Sequence, residues 1–229
     1  MTALQGTTIV FDLDGTLVDT APDLIRATDH VLAAIGLGPA DAAMMRDRIS
    51  FGARRMIVDA LAGHGHVLQD TEVDRLHSLF ISHYEANIAH SSRPYRDALE
   101  TLASLRGQGA GLAVCTNKKE SLARALLVAL DIDGYFDAVA GLDTFAVCKP
   151  HPGHILETIR AAGGDPRRAI MVGDSENDIN AARAADIPVI GCLFGYSEVP
   201  MRELAPDAVI GGYTELNGVI HGLLARRPA

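Results

Sequence analysis

Short apolar segments that end in polar residues recur along the chain. Four of them, at residues 7–12, 111–116, 169–174 and 188–192, are almost wholly apolar. A segment that is apolar on both faces is typical of a strand in a parallel sheet, with helices packed on each side. We therefore expect these four segments to be buried strands of one sheet.

Helical patterns separate the predicted strands. Apolar residues recur at intervals of three and four at residues 98–106, 120–130, 153–162 and 177–185. Alternation of strands and helices predicts an α/β fold with a doubly wound, Rossmann-like parallel sheet as its core.

The stretch at residues 20–90 breaks this alternation. It has helical patterns at residues 23–35, 54–61 and 73–88, and no segment in it predicts a strand. We expect a small all-helical cap domain at residues 20–90, inserted after the first strand. The α/β catalytic core would then comprise residues 1–19 and 91–229.

Two short segments are expected to join the cap to the core. Asp19 and Thr20 would begin the hinge into the cap, and Pro94 would mark the return, because a proline disfavours helical geometry in the residue before it. Hinge motion would admit substrate and then exclude bulk water.

Composition restricts the classes of partner. The 229 residues are 48% hydrophobic, which suffices for one core with a smaller appended domain. The formal net charge of −9 argues against a nucleic-acid partner, because such binding needs clustered Lys and Arg. Lysine occurs only as Lys118, Lys119 and Lys149, so an anionic substrate would depend on a few local cations.

The sequence also favours a cytoplasmic location. It lacks the pattern of a secretory signal and any run of about 18 apolar residues that would span a membrane. Three scattered cysteines form no CxxC pair or disulfide framework. We expect no membrane partner and a monomer or homodimer. Cys115 and Cys148 are expected to be small, buried packing residues.

Polar residues follow the predicted strands at the edge where open α/β sheets bind ligands. Their carboxylates suit a hard cation such as Mg²⁺, and their hydroxyl, amide and ammonium groups suit phosphate oxygens. The candidates are Asp12, Asp14, Thr116, Asn117, Lys149, Asp174 and Asp178.

Asp12 and Asp14 follow the first predicted strand. One carboxylate could attack phosphorus while the other handles the proton of the leaving group, since aspartate nucleophiles are established in covalent catalysis. Asp-Gly is also common in turns, so residues 12–16 (DLDGT) could equally be a polar junction between a strand and a turn.

Thr116 and Lys149 carry weaker signals. Thr116 and Asn117 could bind phosphate through the hydroxyl and neighbouring amides, or Thr116 could cap the next helix. Lys149 lies beside Pro150 and Pro152, which fix the backbone and would position the ammonium. A lone lysine in a loop is otherwise usually solvated.

Asp174 and Asp178 lie where a helix is expected to begin. Acidic residues are favoured at helix N-termini. This preference accounts for one of the two aspartates but explains the presence of both less well. Together with the acids after the first strand, they could share one Mg²⁺, which prefers oxygen ligands.

Taken together, these segments resemble the motifs of the haloacid dehalogenase superfamily of phosphatases. The matching residues are DLDGT at 12–16, Thr116, Lys149-Pro150 and GDSxxD at 173–178. The longer run at residues 12–23, with Gly195-Tyr196 and Pro206-Asp207, is most similar to phosphoglycolate phosphatases. The resemblance covers essentially the whole chain and extends to the helical cap inserted after the first motif.

The resemblance implies a Mg²⁺-dependent phosphohydrolase that acts on a small phosphorylated metabolite, with 2-phosphoglycolate as the expected substrate. Asp12 would be the nucleophile and a Mg²⁺ ligand. Asp14 would protonate the leaving alkoxide, later activate water, and touch the metal through its carbonyl. Thr116 and Lys149 would hold the phosphoryl oxygens, and Asp174 would be the remaining metal carboxylate.

Two further residues have supporting roles. The resemblance implies that Asp178 supports the metal site from close by. Arg54 could pair with a substrate carboxylate, although an arginine beside Arg55 at a helix start is more often solvent-facing.

Other functions stay open at this point. A sugar phosphomutase resembling β-phosphoglucomutase would use the same core motifs and return the phosphoryl group to a sugar. A phospho-accepting signalling module gathers similar residues, but it is shorter, has no cap and takes its phosphoacceptor from a middle strand. A dehalogenase needs neither Asp14 nor Mg²⁺.

Overall fold

The computed structural model describes residues 3–226, so the outermost residues of the predicted core, 1–2 and 227–229, lie outside it. Within that range the strands in chain order are β1 (Thr8–Phe11), β2 (Val18–Asp19), β3 (Arg93–Pro94), β4 (Gly111–Cys115), β5 (Ala138–Ala140), β6 (Ala169–Gly173), β7 (Val189–Cys192) and β8 (Ala208–Ile210). Six of these strands form one sheet in the order β5-β4-β1-β6-β7-β8, and each neighbouring pair is parallel.

Helices lie between the strands along the chain, and a last helix follows the final strand. They are α1 (Ala21–Ala33), α2 (Ala42–Arg48), α3 (Ala53–Gly63), α4 (Asp70–Ala86), α5 (Ala98–Gly107), α6 (Glu120–Ala129), α7 (Pro152–Ala161), α8 (Glu176–Ala184) and α9 (Leu216–Arg226).

Two apolar layers cover the sheet. On one face, Phe11 and Val114 pack with α5, α6 and α9, and on the other face Val10 and Met171 pack with α7 and α8. Neighbouring residues of a strand point to opposite faces, so Val10 and Phe11 are buried by different helices. This arrangement confirms the predicted doubly wound α/β fold.

The helices α1 to α4 bury a second apolar cluster. Val31, Ile57 and Phe80 are buried in it, because each helix turns an apolar stripe towards the others. Leu122 and Tyr196 of the α/β part also belong to this cluster, so the helices pack onto the sheet domain. The domain boundaries at residues 20 and 90 stay a prediction.

The chain enters and leaves these helices through adjacent segments. β2 and β3 form an antiparallel pair in which Asp19 lies opposite Arg93. Asp23 of α1 reinforces this junction, since its carboxylate accepts hydrogen bonds from the backbone N–H groups of Ser91 and Ser92 at 3.0 and 2.8 Å. The predicted hinge therefore coincides with a hydrogen-bonded ribbon.

Some elements differ from the predictions. The four predicted strands agree with β1, β4, β6 and β7 to within one residue at each end. The short elements β2, β3, β5, β8 and α2 are absent from the predictions, because two to seven residues are too few to show a period. The 11-residue helix α9 is absent from the predictions as well. Among the described residues, every helix is too short or too polar to cross a bilayer.

The two cysteines beside candidate site residues differ in their burial. Cys115 is buried in β4, as predicted. The prediction that Cys148 is buried is wrong, because it is exposed in the loop before Lys149, where the alternation of a strand does not apply.

Candidate active site

Asp12 follows the central strand β1 directly. It is only 8% exposed. Its Oδ1 accepts a hydrogen bond from the Leu13 N–H at 2.7 Å and lies 3.0 Å from Nζ of Lys149. Burial, followed by repulsion from Asp178, raises the pKa of Asp12 to about 7, although Lys149 opposes this shift. Burial and the neighbouring carboxylate therefore outweigh the attraction of Lys149.

Asp14 lies in the turn that follows. The Thr20 hydroxyl donates a hydrogen bond to its Oδ1 at 2.7 Å, and Nζ of Lys118 lies 2.9 Å from each carboxylate oxygen. The next residue, Gly15, has a φ of +82°, and a Cβ atom there would overlap the carboxylate of Asp174. Glycine is required at this position for both reasons, which explains the Asp-Gly pair.

Lys149 is buried between two carboxylates. Its Nζ lies 3.0 Å from Oδ1 of Asp12 and 2.6 Å from Oδ1 of Asp178. Burial disfavours the charge, but the two carboxylates outweigh it and raise the pKa of Lys149 above its usual value. Lys149 therefore stays a cation at neutral pH.

Asn117 holds the main chain of Lys149. The Asn117 Oδ1 accepts from the Lys149 N–H at 3.1 Å, and the Asn117 Nδ2 donates to the Lys149 carbonyl at 2.8 Å. The amide that the sequence suggests as a substrate contact is thus engaged in positioning the lysine.

His154 is a second support for Lys149, and the sequence prediction missed it. The ring is fully buried. Its Nδ1 accepts from the Lys149 N–H at 3.2 Å, and its Nε2 lies 3.0 Å from the Gly141 carbonyl oxygen. A ring that accepts at one nitrogen and donates at the other is neutral. Burial, followed by the Lys149 ammonium, lowers the pKa of His154 to about 4, which keeps the ring neutral.

Asp174 follows β6, the strand next to β1. The Thr16 hydroxyl donates to its Oδ1 and the Tyr196 N–H donates to its Oδ2, both at 2.7 Å. A Cβ atom at Gly195 would overlap the same carboxylate. Burial, followed by repulsion from Asp12, raises the pKa of Asp174 well above its usual value.

Asp178 serves two purposes at the start of α8. Its Oδ2 accepts from the N–H and the hydroxyl of Ser175 at 3.0 and 2.7 Å, which caps the helix. Its Oδ1 binds Lys149. The capping interpretation thus holds for Asp178, and the same carboxylate also orients the lysine.

Asp12, Asp174 and Asp178 form a compact acidic cluster. One carboxylate oxygen of each lies within 4.8 Å of the others. Lys149 contributes one positive charge to three carboxylates, and the available donors are all oxygen atoms. Burial, and then repulsion between the carboxylates, raises the pKa values of Asp12 and Asp174. These oxygen donors therefore fit a hard divalent cation.

Thr116 lies at the end of β4. It is buried, its N–H donates to the Ala140 carbonyl at 2.9 Å, and its Oγ1 accepts from the Lys118 N–H at 3.2 Å. These bonds hold the threonine at the sheet edge, where the predicted phosphate site lies.

Arg54 lines the cavity over the site and is partly exposed to solvent, so its contact with a substrate carboxylate stays a prediction. It is 43% exposed at its side chain, and its guanidinium lies 3.0 Å from Asp70 and 3.1 Å from Asp74. Two carboxylates of α4 therefore compete with any substrate for this cation.

A cavity of about 600 Å³ lies over these side chains. Asp12, Lys149 and Asp174 form part of its wall, and Met56 and Phe80 of the helical cluster form another part. Pockets of this size and mixed character bind small metabolites. The structure thus brings Asp12, Asp14 and Asp174 together with Thr116 and the buried lysine in the wall of one cavity.

The family follows from this site and from a match along the chain. Residues 9–192 match the family model of the haloacid dehalogenase-like hydrolases. The chain belongs to this family, as predicted. The matched range runs from β1 to β7 and so contains the whole acidic cluster.

Individual relatives cover nearly all of the chain. It is 50% identical over 208 residues to a phosphoglycolate phosphatase of Mesorhizobium japonicum, which is 91% of this chain and 92% of the relative. It is 48% identical over 220 residues to a phosphoglycolate phosphatase of Agrobacterium fabrum, which is 96% of this chain and 94% of the relative. The predicted enzyme class, a phosphoric monoester hydrolase, is confirmed.

A solved structure agrees with the fold. A crystal structure from Haemophilus somnus, described as a predicted phosphoglycolate phosphatase, superposes with a TM-score of 0.88 at 32% identity. The match covers 95% of this chain and 99% of the other. The helical cluster and the sheet therefore recur together in a related molecule.

Proposed function

We propose that this chain is a Mg²⁺-dependent phosphatase that hydrolyses 2-phosphoglycolate through a phosphoryl group carried on Asp12. The strongest support is the meeting of Asp12, Asp174 and Lys149 at one sheet edge beneath the helices. The names of the two curated relatives support 2-phosphoglycolate as the substrate.

The proposed cation site uses carboxylates that follow neighbouring strands. Asp12 and Asp174 would hold Mg²⁺ with the backbone carbonyl of Asp14, while Asp178 supports the site through Lys149. Bound Mg²⁺ would supply charge neutralisation for the phosphoryl oxygens. Thr16 and the Tyr196 N–H orient Asp174 for this task.

In the first proposed step, a carboxylate oxygen of Asp12 forms a bond to phosphorus as the bond from phosphorus to the ester oxygen breaks. The electron pair stays on the ester oxygen, which takes a proton from the carboxyl group of Asp14 and leaves as an alcohol. Lys149, only 3.0 Å from Asp12, and the Thr116 hydroxyl would bind the transferring oxygens.

In the second proposed step, a water oxygen attacks phosphorus while Asp14 accepts a proton from that water. The bond from phosphorus to Asp12 breaks and its electrons return to the carboxylate. Inorganic phosphate leaves, and Asp14 is protonated for the next cycle.

The cap would control access to this chemistry. Its helices form part of the cavity wall, and the β2–β3 ribbon joins them to the core. Movement about this ribbon would admit substrate and then exclude water. Three further properties stay predictions: the domain boundaries at residues 20 and 90, the cytoplasmic location, and the monomeric or homodimeric state.

The test is release of inorganic phosphate from 2-phosphoglycolate with Mg²⁺ and with EDTA. We expect release only with Mg²⁺, and the Asp12→Asn variant should lower kcat by about 10³-fold or more. Asp133→Asn, at an exposed position outside the cavity, is the matched control. Near-normal activity of a folded Asp12→Asn variant would exclude Asp12 as the nucleophile.

The same assay separates the other candidate functions. The cavity is wide enough for a phosphorylated sugar, so β-glucose 1-phosphate belongs in the substrate panel. Isomerised sugar phosphate with little free phosphate would favour a phosphomutase. A stably phosphorylated chain without turnover would favour a signalling module.

A further inference from the structure

We infer that Lys118, together with the hydroxyl of Tyr84, binds a carboxylate on the leaving group and so selects phosphate esters of small hydroxy acids. The inference rests on the proposed phosphatase function. It assigns the recognition of the substrate's second anionic group to side chains that the sequence motifs do not mark.

Lys118 is a buried cation in the wall of the cavity. Its side chain is 6% exposed, and its Nζ lies 2.9 Å from Asp14 and 4.7 Å from the ring centre of Tyr84. The carboxylate of Asp14 at this distance stabilises the ammonium in its charged form. The site therefore holds a permanent positive charge beside the proposed acid.

The contact with Asp14 cannot stay unchanged during the proposed reaction. Lys118 lies 2.9 Å from both oxygens of Asp14, and Thr20 donates to one of them at 2.7 Å. When Asp14 turns to the ester oxygen, the ammonium loses part of this contact. A buried ammonium without a counter-charge is strongly disfavoured, so the bound substrate should supply one.

Substrate geometry suits a carboxylate in that position. In a phosphorylated 2-hydroxy acid, one carbon separates the ester oxygen from the carboxylate, so the oxygens lie about 3 Å apart by ordinary bond lengths. Lys118 is one hydrogen-bond length from Asp14, which itself would contact the ester oxygen. The carboxylate would therefore fall within reach of Lys118, whereas a charge several carbons away would not.

The other cations of the cavity wall are less suited. Lys149 is held between Asp12 and Asp178 at the proposed phosphoryl site. Arg54 is paired with two carboxylates of the helical cluster, and Lys119 is exposed. Lys118 combines burial with a contact to the proposed acid, which favours it as the carboxylate receptor.

Tyr84 supplies an independent observation. It lies on α4, is 1% exposed and lines the same cavity. Its hydroxyl is buried beside the Lys118 ammonium, which can only donate, so within residues 3–226 the hydroxyl proton has no acceptor. Burial raises the pKa of Tyr84 to about 12, so the hydroxyl keeps its proton and can donate. A carboxylate bound to Lys118 would accept this bond.

The experiment compares two esters of equal carbon count. We would measure kcat/KM for 2-phosphoglycolate and for ethyl phosphate, which lacks the carboxylate. Lys118→Met should lower the ratio of the two values by about 10- to 100-fold, the range for a charge-assisted hydrogen bond. Lys118→Arg should restore part of the ratio, and Tyr84→Phe should lower it by about fivefold.

Matched controls separate this role from general charge and packing effects. Lys119→Met removes the same charge from the exposed neighbour, and Tyr135→Phe removes a hydroxyl from a half-buried tyrosine outside the cavity. Both should leave the ratio unchanged within about twofold. An equal loss in Lys119→Met would assign the preference to overall charge and overturn the inference.

Kinetics alone can overturn the inference without affecting the proposed function. Equal losses on both esters in Lys118→Met would show that the lysine serves only Asp14. A wild-type ratio near one would also overturn it, while phosphatase activity would stand.

If the wild type cleaves neither ester, the proposed function fails, and calorimetry then decides the inference. The binding of 2-phosphoglycolate is measured in the Asp12→Asn variant with and without Lys118→Met. Binding weakened about tenfold or more by Lys118→Met supports the inference, and unchanged binding overturns it.

Discussion

Replacing Asp12 with asparagine is expected to stabilise the metal-free protein, although the same change is expected to lower kcat by about 10³-fold or more. Asp12 is buried near Asp174 and Asp178, and Lys149 is shared with Asp178. The neutral amide removes one of the repelling charges and keeps the size of the side chain. The gain in the free energy of unfolding should depend on pH, and this dependence identifies the charge of Asp12 as its cause.

The magnitude follows from the difference in pKa between the folded and unfolded chain. Burial raises the pKa of Asp12 to about 7 from the usual 3.8. Between these values the folded state binds more protons than the unfolded state, so wild-type stability falls as pH rises through this window. Each pH unit corresponds to about 1.4 kcal/mol, so the full window accounts for about 4 kcal/mol.

His154 has an effect of opposite sign. Its folded pKa of about 4 lies below the usual 6.5, so its contribution to stability rises with pH between these values. The two effects partly cancel in the wild type. The difference between wild type and Asp12→Asn is therefore the informative quantity, because His154 is present in both proteins.

Denaturant unfolding in EDTA at pH 5 and pH 8 measures this difference. The advantage of Asp12→Asn should be larger at pH 8 by about 3 kcal/mol, and Mg²⁺ should reduce it because the wild type gains a counter-ion. Asp133→Asn should show no such dependence. An advantage that is equal at both pH values, or a variant less stable than wild type at pH 8, would refute the reasoning.

Three further predictions concern the surroundings of the cluster. Lys149→Met leaves buried carboxylates without their ammonium and should lower the free energy of unfolding in EDTA at pH 8 by about 3 kcal/mol, measured by denaturant titration; an unchanged value would contradict the pairing. His154→Phe removes the acceptor for the Lys149 N–H and should lower kcat for phosphate release about tenfold, so an unaltered kcat would remove its positioning role. Gly195→Ala places a Cβ atom against Asp174 and should raise the Mg²⁺ concentration for half-maximal activity about tenfold, whereas Gly222→Ala, which meets open space, should not. Equal values for the two alanine variants would count against Asp174 as a ligand.

Residues at strand ends could be placed from the sequence. Asp12 and Asp174 follow short apolar runs, and parallel strands bring their C-terminal ends to one edge. Since β1 and β6 are neighbours, their closeness follows from the topology. The two acids therefore meet as expected, although their catalytic roles stay predictions.

Residues defined by side-chain packing could not be placed in this way. Lys118 contacts Asp14 across the sheet edge, and Tyr84 contacts Lys118 from a helix more than thirty residues earlier in the chain. Neither contact produces a periodic pattern in the local sequence. His154 resembles any polar residue in the first turn of a helix. The residue type alone suggests Arg54 as a substrate ligand, but its ion-pair partners lie on α4 and depend on how the helices pack.

The ribbon of β2 and β3 has a consequence for how such a molecule can change over generations. The segments that enter and leave the helical insert lie side by side. Hydrogen bonds from the N–H groups of Ser91 and Ser92 to Asp23 hold them together. A bundle attached in this manner can be lengthened, trimmed or exchanged while the connectivity of the six-stranded sheet stays the same. New leaving groups can then be accommodated by altering the insert, with the residues proposed to bind the phosphoryl group left in place.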